Sequence, residues 1–73
     1  MNPPIRMLRL PDVVQKTGLS RSQIYRLVGL GSFPRQIQLG DRAAAWIEVE
    51  IERWLQERID QTRASIAENK ISA

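Results

Sequence analysis

The chain contains no cysteine and no histidine among its 73 residues. These absences exclude disulfides, thiol catalysis and imidazole bases, and they remove the usual ligands of transition metals. No apolar run approaches the roughly 18 residues that a membrane-spanning helix needs, and Pro3 and Pro4 stand where a secretory signal has its apolar core. We therefore expect a cytoplasmic protein that is not an enzyme and has no cofactor, metal, small-molecule substrate or membrane contact.

The basic side chains are concentrated in the first part of the chain. Residues 1–42 hold seven basic and two acidic side chains, whereas residues 43–73 hold four basic and six acidic ones. This distribution is typical of a protein with one basic working surface, although an ordinary solvated surface also accounts for it. Charge alone therefore leaves nucleic-acid binding as one of two interpretations.

The length predicts a single small domain that buries only about 60% of its unfolded surface. Within it we expect a flexible segment over residues 1–6, the folded domain over residues 7–60 and a partly ordered tail over residues 61–73.

The stretch T-G-L-S-R-S-Q-I-Y-R-L carries the strongest local signals. Gly18 suits the end of a first helix over about Pro11–Thr17, because glycine tolerates the left-handed conformation. Ser20 and Gln23 form a capping box at the start of a second helix over about Arg21–Leu30. Two helices joined by a short turn, with polar and basic side chains on the second, are typical of a helix-turn-helix.

The second half of the chain predicts a hairpin and a third helix. Gln36–Leu39 alternates polar and apolar residues as a half-buried strand does, Gly40–Arg42 has turn chemistry, and Ala43–Ile47 is the returning strand. Apolar residues at helical spacing then predict a helix over about Glu48–Gln61. The predicted core comprises Ile24, Leu27, Val28, Leu39, Trp46, Ile51, Trp54 and Leu55.

A long run of motifs spans residues 8–59. It comprises an Arg-Leu pair, the T-G-L-S-R-S-x-I-Y-R-L helix, a G-x-F-P break, an apolar strand, and a tryptophan followed by an acidic amphipathic helix. These motifs are found at Arg9-Leu10, Thr17–Leu27, Gly31–Pro34, Ile37–Gly40, Arg42, Trp46 and Val49–Trp54. The run resembles the AlpA family of prophage regulatory proteins.

The resemblance implies a mainly α, winged helix-turn-helix domain of the MerR or excisionase kind, in the order helix, helix, β-hairpin, helix. It implies a regulator of a prophage or mobile element that binds double-stranded DNA and controls integrase expression. The alternatives are an excisionase-type factor acting at the attachment site and, in another class, an interaction module using the third helix or the tail. Further candidate partners are a second copy of the chain and the integrase.

Eight residues are candidates for DNA contact. Arg21 and Arg26 lead, because arginine bonds guanine or phosphate bidentately; the alternative is a solvated face with ion pairs to Asp12 or Asp41. The full set is Ser20, Arg21, Ser22, Gln23, Tyr25, Arg26, Arg35 and Arg42.

The remaining candidates each have a structural alternative. Gln23 reads adenine in one interpretation and serves the capping box in the favoured one, while Tyr25 either bonds phosphate or covers the edge of the core. Arg42 at the hairpin tip suits a minor groove, and Arg35 is either a backbone contact or a solvated charge. Trp46 and Trp54 are assigned to the core in preference to a stacking platform for single strands.

Overall fold

The computed structural model describes the backbone of residues 4–72 and the side chains of residues 4–65. Three helices and three short strands follow one another along this part of the chain, and none of the helices is long and apolar enough to cross a membrane. In chain order they are β1 (Met7–Leu8), α1 (Leu10–Thr17), α2 (Arg21–Gly29), β2 (Ile37–Gly40), β3 (Ala43–Ile47) and α3 (Glu48–Ser72). The mainly α class and the hairpin between the second and third helices are confirmed.

The helix-turn-helix is built by local hydrogen bonds. Gly18 adopts φ 76°, and its N–H donates to the Val14 carbonyl over 2.9 Å, which ends α1. At the end of α2, Gly31 adopts φ 75° and donates to the Val28 carbonyl, and the Ser32 N–H donates to the Leu27 carbonyl. This pair of bonds is a Schellman motif, so α2 stops where the glycines predict.

The hairpin is part of a three-stranded antiparallel sheet in the order β1–β3–β2. Met7 lies opposite Ile47 and Leu8 opposite Trp46, and the Glu48 N–H donates to the Arg6 carbonyl over 2.8 Å. The sequence did not predict a third strand ahead of α1. The third strand forms because Leu8 enters the core, where it is 8% exposed, and because β3 has a free edge to pair with.

The core lies between α1, α2, α3 and the central strand β3. Its buried side chains are Leu8, Val13, Ile24, Phe33, Ala45, Trp46 and Ile51. Leu27, Val28, Trp54 and Leu55 are partly buried against this cluster.

The assignment of Leu39 to the core is wrong, since its side chain is 54% exposed. All four residues of β2 are exposed, so the strand is present but its predicted half-burial is wrong. The reason is the strand order: β3 contacts α1 and α3, and β2 is at the sheet edge.

The third helix is longer than predicted. Its end was expected near Gln61, but α3 continues to Ser72. Residues 1–3 of the expected flexible segment, and the side chains of residues 66–73 in the expected tail, lie outside the described part of the chain. The partly ordered tail therefore stays a prediction.

Candidate nucleic-acid interface

All eight side chains selected for DNA contact are exposed. Ser20 caps α2 and five others lie on that helix, while Arg35 precedes β2 and Arg42 lies in the turn between β2 and β3. The structure therefore brings six of the eight together on one short helix. The other two lie at the two ends of β2.

The faces of α2 are separated by the geometry of the helix. Ile24 is fully buried and marks the face toward the core. At about 100° per residue, Ser22 and Arg26 lie about 160° from Ile24 on either side, so they point most directly outward. Arg21 lies about 60° from Ile24, on the flank, and remains exposed because it is in the first turn. Arg26 is therefore the most outward arginine of this helix.

The capping box predicted at the start of α2 is confirmed. The Ser20 hydroxyl oxygen accepts a bond of 3.2 Å from the Gln23 N–H, and the Gln23 side-chain oxygen accepts one of 2.9 Å from the Ser20 N–H. Both side chains are exposed and hold the first turn in place. The hydroxyl proton of Ser20 remains able to donate to a phosphate at this helix end.

Tyr25 takes the core-edge position of its two predicted ones, and its bond to phosphate stays a prediction. Its ring centroid lies 6.4 Å from that of buried Trp46, at an interplanar angle of 59°, so the ring covers an edge of the core. The residue is nevertheless 47% exposed. A tyrosine placed in this way packs through its ring and leaves its hydroxyl free to bond a phosphate.

The loop between α2 and the hairpin is held by two indole groups. The Trp54 Nε1 donates to the Ser32 carbonyl over 2.6 Å, and the Trp46 Nε1 donates to the Pro34 carbonyl over 2.9 Å. Phe33 between them is buried and packs edge-on against Trp54, with ring centroids 4.8 Å apart. This loop fixes the position of the hairpin relative to α2.

These anchoring bonds were not predicted from the sequence. The sequence assigned Trp46 and Trp54 to the core. A signal was present, because a tryptophan that packs its ring in a core still has an N–H that needs an acceptor. The nearest irregular backbone carbonyls are in the loop that contains Phe33.

The basic residues divide into two groups. Lys16 on α1 lies 3.4 Å from Glu48 and 3.2 Å from Glu52 of α3, and Arg6 lies 4.0 Å from Glu48. The hydrogen bond to Glu52 is the main cause that raises the pKa of Lys16 above its ordinary value of 10.5, with Glu48 adding to it. These two basic residues join α1 and the chain's first segment to α3, so they supply less attraction for phosphate than their charge suggests.

The four arginines of α2 and the hairpin are different. Among residues 4–65, no carboxylate lies within 4.0 Å of the guanidinium groups of Arg21, Arg26, Arg35 and Arg42. The alternative of ion pairs to Asp12 or Asp41 is thus not realised in the described part of the chain. These arginines keep their hydrogen-bond donors available to a ligand. No group of three potential metal ligands occurs in that same part.

The chain is similar to a family of prophage regulatory proteins, to a protein of a phage and to a transcriptional activator of a bacterium. Residues 6–59 match the family described as prophage CP4-57 regulatory protein (AlpA). The chain is 46% identical over 54 residues to the protein ORF88 of Enterobacteria phage P4, an alignment that covers 74% of this chain and 61% of the phage protein. It is 43% identical over 60 residues to the DNA-binding transcriptional activator AlpA of Escherichia coli (strain K12), covering 74% of this chain and 86% of that relative. The chain thus spans less than two thirds of the phage P4 protein and most of the Escherichia coli one.

Proposed function

The chain belongs to the AlpA family of prophage regulatory proteins, and from this premise we propose that it binds double-stranded DNA in a sequence-specific manner through α2 and the β2–β3 turn. The observation that carries the proposal is the exposed polar face of α2, on which Ser22 and Arg26 lie while Ile24 on the opposite face is buried. A short helix with this division of faces enters a major groove without unfolding its own core.

The roles within the interface follow from position. Arg21 lies in the first turn of α2, the part that meets base edges in helix-turn-helix proteins, and Arg26 points most directly away from the core. Each has the fork of donors that guanine O6 and N7 accept. Arg42 lies in the β2–β3 turn, where contact with the phosphate backbone or a minor groove is the favoured use.

The regulated element supplies two target regions for the test. The Escherichia coli relative is named a transcriptional activator, and we infer that this chain also acts on transcription, with integrase expression or excision of a mobile element as its output. The test titrates the protein against duplexes from the element's integrase promoter and from its attachment site. A scrambled duplex of equal length is the control. Preference for the promoter supports the regulator, and preference for the attachment site supports an excision factor.

The salt dependence of the same titrations tests the basic surface. We expect about four to six phosphate contacts from the arginines of residues 6–42, so log K should fall with log salt at a slope of roughly −4 to −5. Affinity that does not change between low and physiological salt would show that this basic surface does not contact DNA. Absence of binding to every duplex would leave the interaction module as the function of the domain.

Three substitutions distinguish contacts with bases from contacts with the phosphate backbone. Arg21→Ala should cost about 1–3 kcal/mol on the preferred duplex and much less on the scrambled one, and Arg26→Ala should behave in the same way. Arg42→Ala should weaken both duplexes by a similar factor and make the salt slope shallower by about one unit. If Arg21→Ala and Arg26→Ala weakened both duplexes equally, α2 would be a phosphate anchor and not the sequence reader.

A further inference from the structure

The edge strand β2 is open to another molecule along its outer side. It pairs with β3 on one side, and within residues 4–72 no strand pairs with the other. Its sequence, Ile37-Gln38-Leu39-Gly40, contains no charge and no proline, two of the devices that natural proteins use to block edge pairing; a third device, a β-bulge, is present where the β2–β3 register shifts between Gln38 and Gly40. Ile37 is 40% and Leu39 is 54% exposed. An edge with unpaired backbone groups and exposed apolar side chains is a template for a further strand.

The sequence around this edge is complementary to itself. In an antiparallel pair centred on Gln38, each residue lies opposite the residue equally far from Gln38 on the other chain. Ile37 then lies opposite Leu39 of the second copy. Arg35 precedes β2 and Asp41 lies in the turn that follows it, so these two residues flank the paired strands, where Arg35 of one copy faces Asp41 of the other. Apolar side chains thus meet apolar ones and opposite charges meet at both ends. We propose that two copies of this chain associate by antiparallel pairing of their β2 strands, with Gln38 at the two-fold axis.

This register satisfies the requirement of an isologous interface. Under two-fold symmetry each contact occurs twice, so one Arg35–Asp41 match gives two ion pairs and one Ile37–Leu39 match gives two apolar pairs. The guanidinium of Arg35 has no carboxylate within 4.0 Å among residues 4–65. Pairing between β2 and β3 skips Leu39, because Gln38 lies opposite Ala44 and Gly40 opposite Ala43. Among residues 4–65, the guanidinium of Arg35 and the side chain of Leu39 therefore remain available to contact a second copy.

The dimer would form a continuous six-stranded sheet and place two α2 helices about a two-fold axis. Four residues of edge strand make a small interface, so association of the free protein is weak and increases when DNA holds two copies side by side. The expected binding site is then an inverted repeat. Arg35 serves the contact between proteins in this arrangement, in place of the contact with phosphate.

Disulfide trapping measures the register directly, because the full chain has no cysteine of its own. Gln38→Cys places two thiols opposite each other, at a Cα separation of about 4.5–5.5 Å, within the range that a disulfide spans. Gln36→Cys is the matched control on the same strand, since its two copies lie about 13 Å or more apart along the strands. Gln56→Cys on α3 reports random collision.

With free protein under mild oxidation, Gln38→Cys should form covalent dimers roughly tenfold faster than either control. Equal rates for all three variants, or faster trapping through Gln36→Cys, would overturn the antiparallel register.

Charge reversal in the Gln38→Cys background tests the two ends of the strand. Asp41→Arg turns two opposite-charge pairs into two like-charge pairs and should slow trapping roughly tenfold. Adding Arg35→Asp to the same chain exchanges the charges and should restore the rate to within about twofold. If Arg35 contacted only DNA, adding Arg35→Asp would not restore the trapping rate in the absence of DNA. Failure of the double variant to recover, while its melting is unchanged, would overturn the proposed pairing.

Discussion

Substitutions of Gln23 can separate the stability of α2 from the proposed role of α2 in DNA contact. The Gln23 side-chain oxygen accepts the Ser20 N–H at 2.9 Å, and the residue is exposed on the face proposed to meet DNA. Gln23→Glu keeps an oxygen acceptor in the same place and adds a negative charge. Gln23→Ala removes the acceptor and adds no charge. The two variants therefore change cap and charge independently.

The effects on folding should have opposite signs. The carboxylate of Gln23→Glu retains the cap and lies in the first turn, where the helix dipole favours an acid by about 0.3–1 kcal/mol. Gln23→Ala loses one hydrogen bond with a net value of about 0.5–1.5 kcal/mol. For a domain of this size 1 kcal/mol corresponds to about 4–8 °C in Tm, so Gln23→Ala should melt lower and Gln23→Glu should not.

The effects on DNA binding should follow the charge. A carboxylate about 7 Å from a phosphate costs about 0.6 kcal/mol in water, and a residue in the major groove faces phosphates of both strands. Gln23→Glu should therefore weaken binding roughly tenfold on the preferred and scrambled duplexes alike. Gln23→Ala should weaken binding less, unless Gln23 reads a base, in which case the loss is confined to the preferred duplex.

The assays are thermal melting of each free variant and titration of both duplexes at one fixed salt concentration. The expected result is that the ranking of the two variants by Tm is the reverse of their ranking by affinity for DNA, so that the variant with the higher Tm binds more weakly. If Gln23→Glu bound both duplexes as tightly as the parent chain, the start of α2 would lie away from DNA. The proposed orientation of α2 in the groove would then be refuted.

Three further predictions concern the fold that supports this helix. Ile24→Ala should cost about 2–5 kcal/mol, whereas Leu39→Ala should change the stability of the monomer by less than about 0.5 kcal/mol, and denaturant titration at low protein concentration distinguishes the buried site from the exposed one. Trp54→Phe keeps the ring and removes the N–H that donates to the loop; it should lower stability by about 0.5–1.5 kcal/mol and weaken both duplexes together. Folding raises the pKa of Lys16, mainly through Glu52. The stabilisation that the Lys16 ion pairs give the folded state is therefore complete below the unfolded pKa of 10.5 and is lost as pH rises through the folded pKa. The difference in Tm between the parent chain and Lys16→Met should therefore be present at neutral pH and vanish in strong alkali; a difference that persists there would show that the ion pairs are not its source.

The features that were predicted from the sequence are those set by neighbours along the chain. Gly18 and the Ser20–Gln23 capping box act within a few residues, so the turn between α1 and α2 follows from local chemistry. The β2–β3 turn over residues 40–42 follows for the same reason. These signals predict the positions of α2 and of the β2–β3 turn, which carry most of the candidate interface.

The features that were missed depend on contacts between distant parts of the chain. Alternation of Gln36–Leu39 predicts two different faces, but it does not say whether the strand is central or at the edge of a sheet. The answer came from the helices, because α1 packs on β1 and β3 and α3 packs on β3, while β2 lies at the edge of the sheet and contacts mainly β3. The strand itself was predicted correctly, but its position in the sheet was not. The predicted burial of Leu39 was therefore wrong.

The two tryptophans hold α2 and the hairpin, the two elements proposed to contact DNA, in a fixed relation. A chain of this length has a limited core, and packing alone leaves its loops free to move. Here the loop after α2 is anchored at Ser32 by Trp54 and at Pro34 by Trp46, with the Phe33 ring buried between these two points. Aromatic side chains that pack the core thereby also set the distance between α2 and the hairpin. If α2 reads bases as proposed, specificity depends on these core residues as well, because a base contact is selective only when its helix is held in one position.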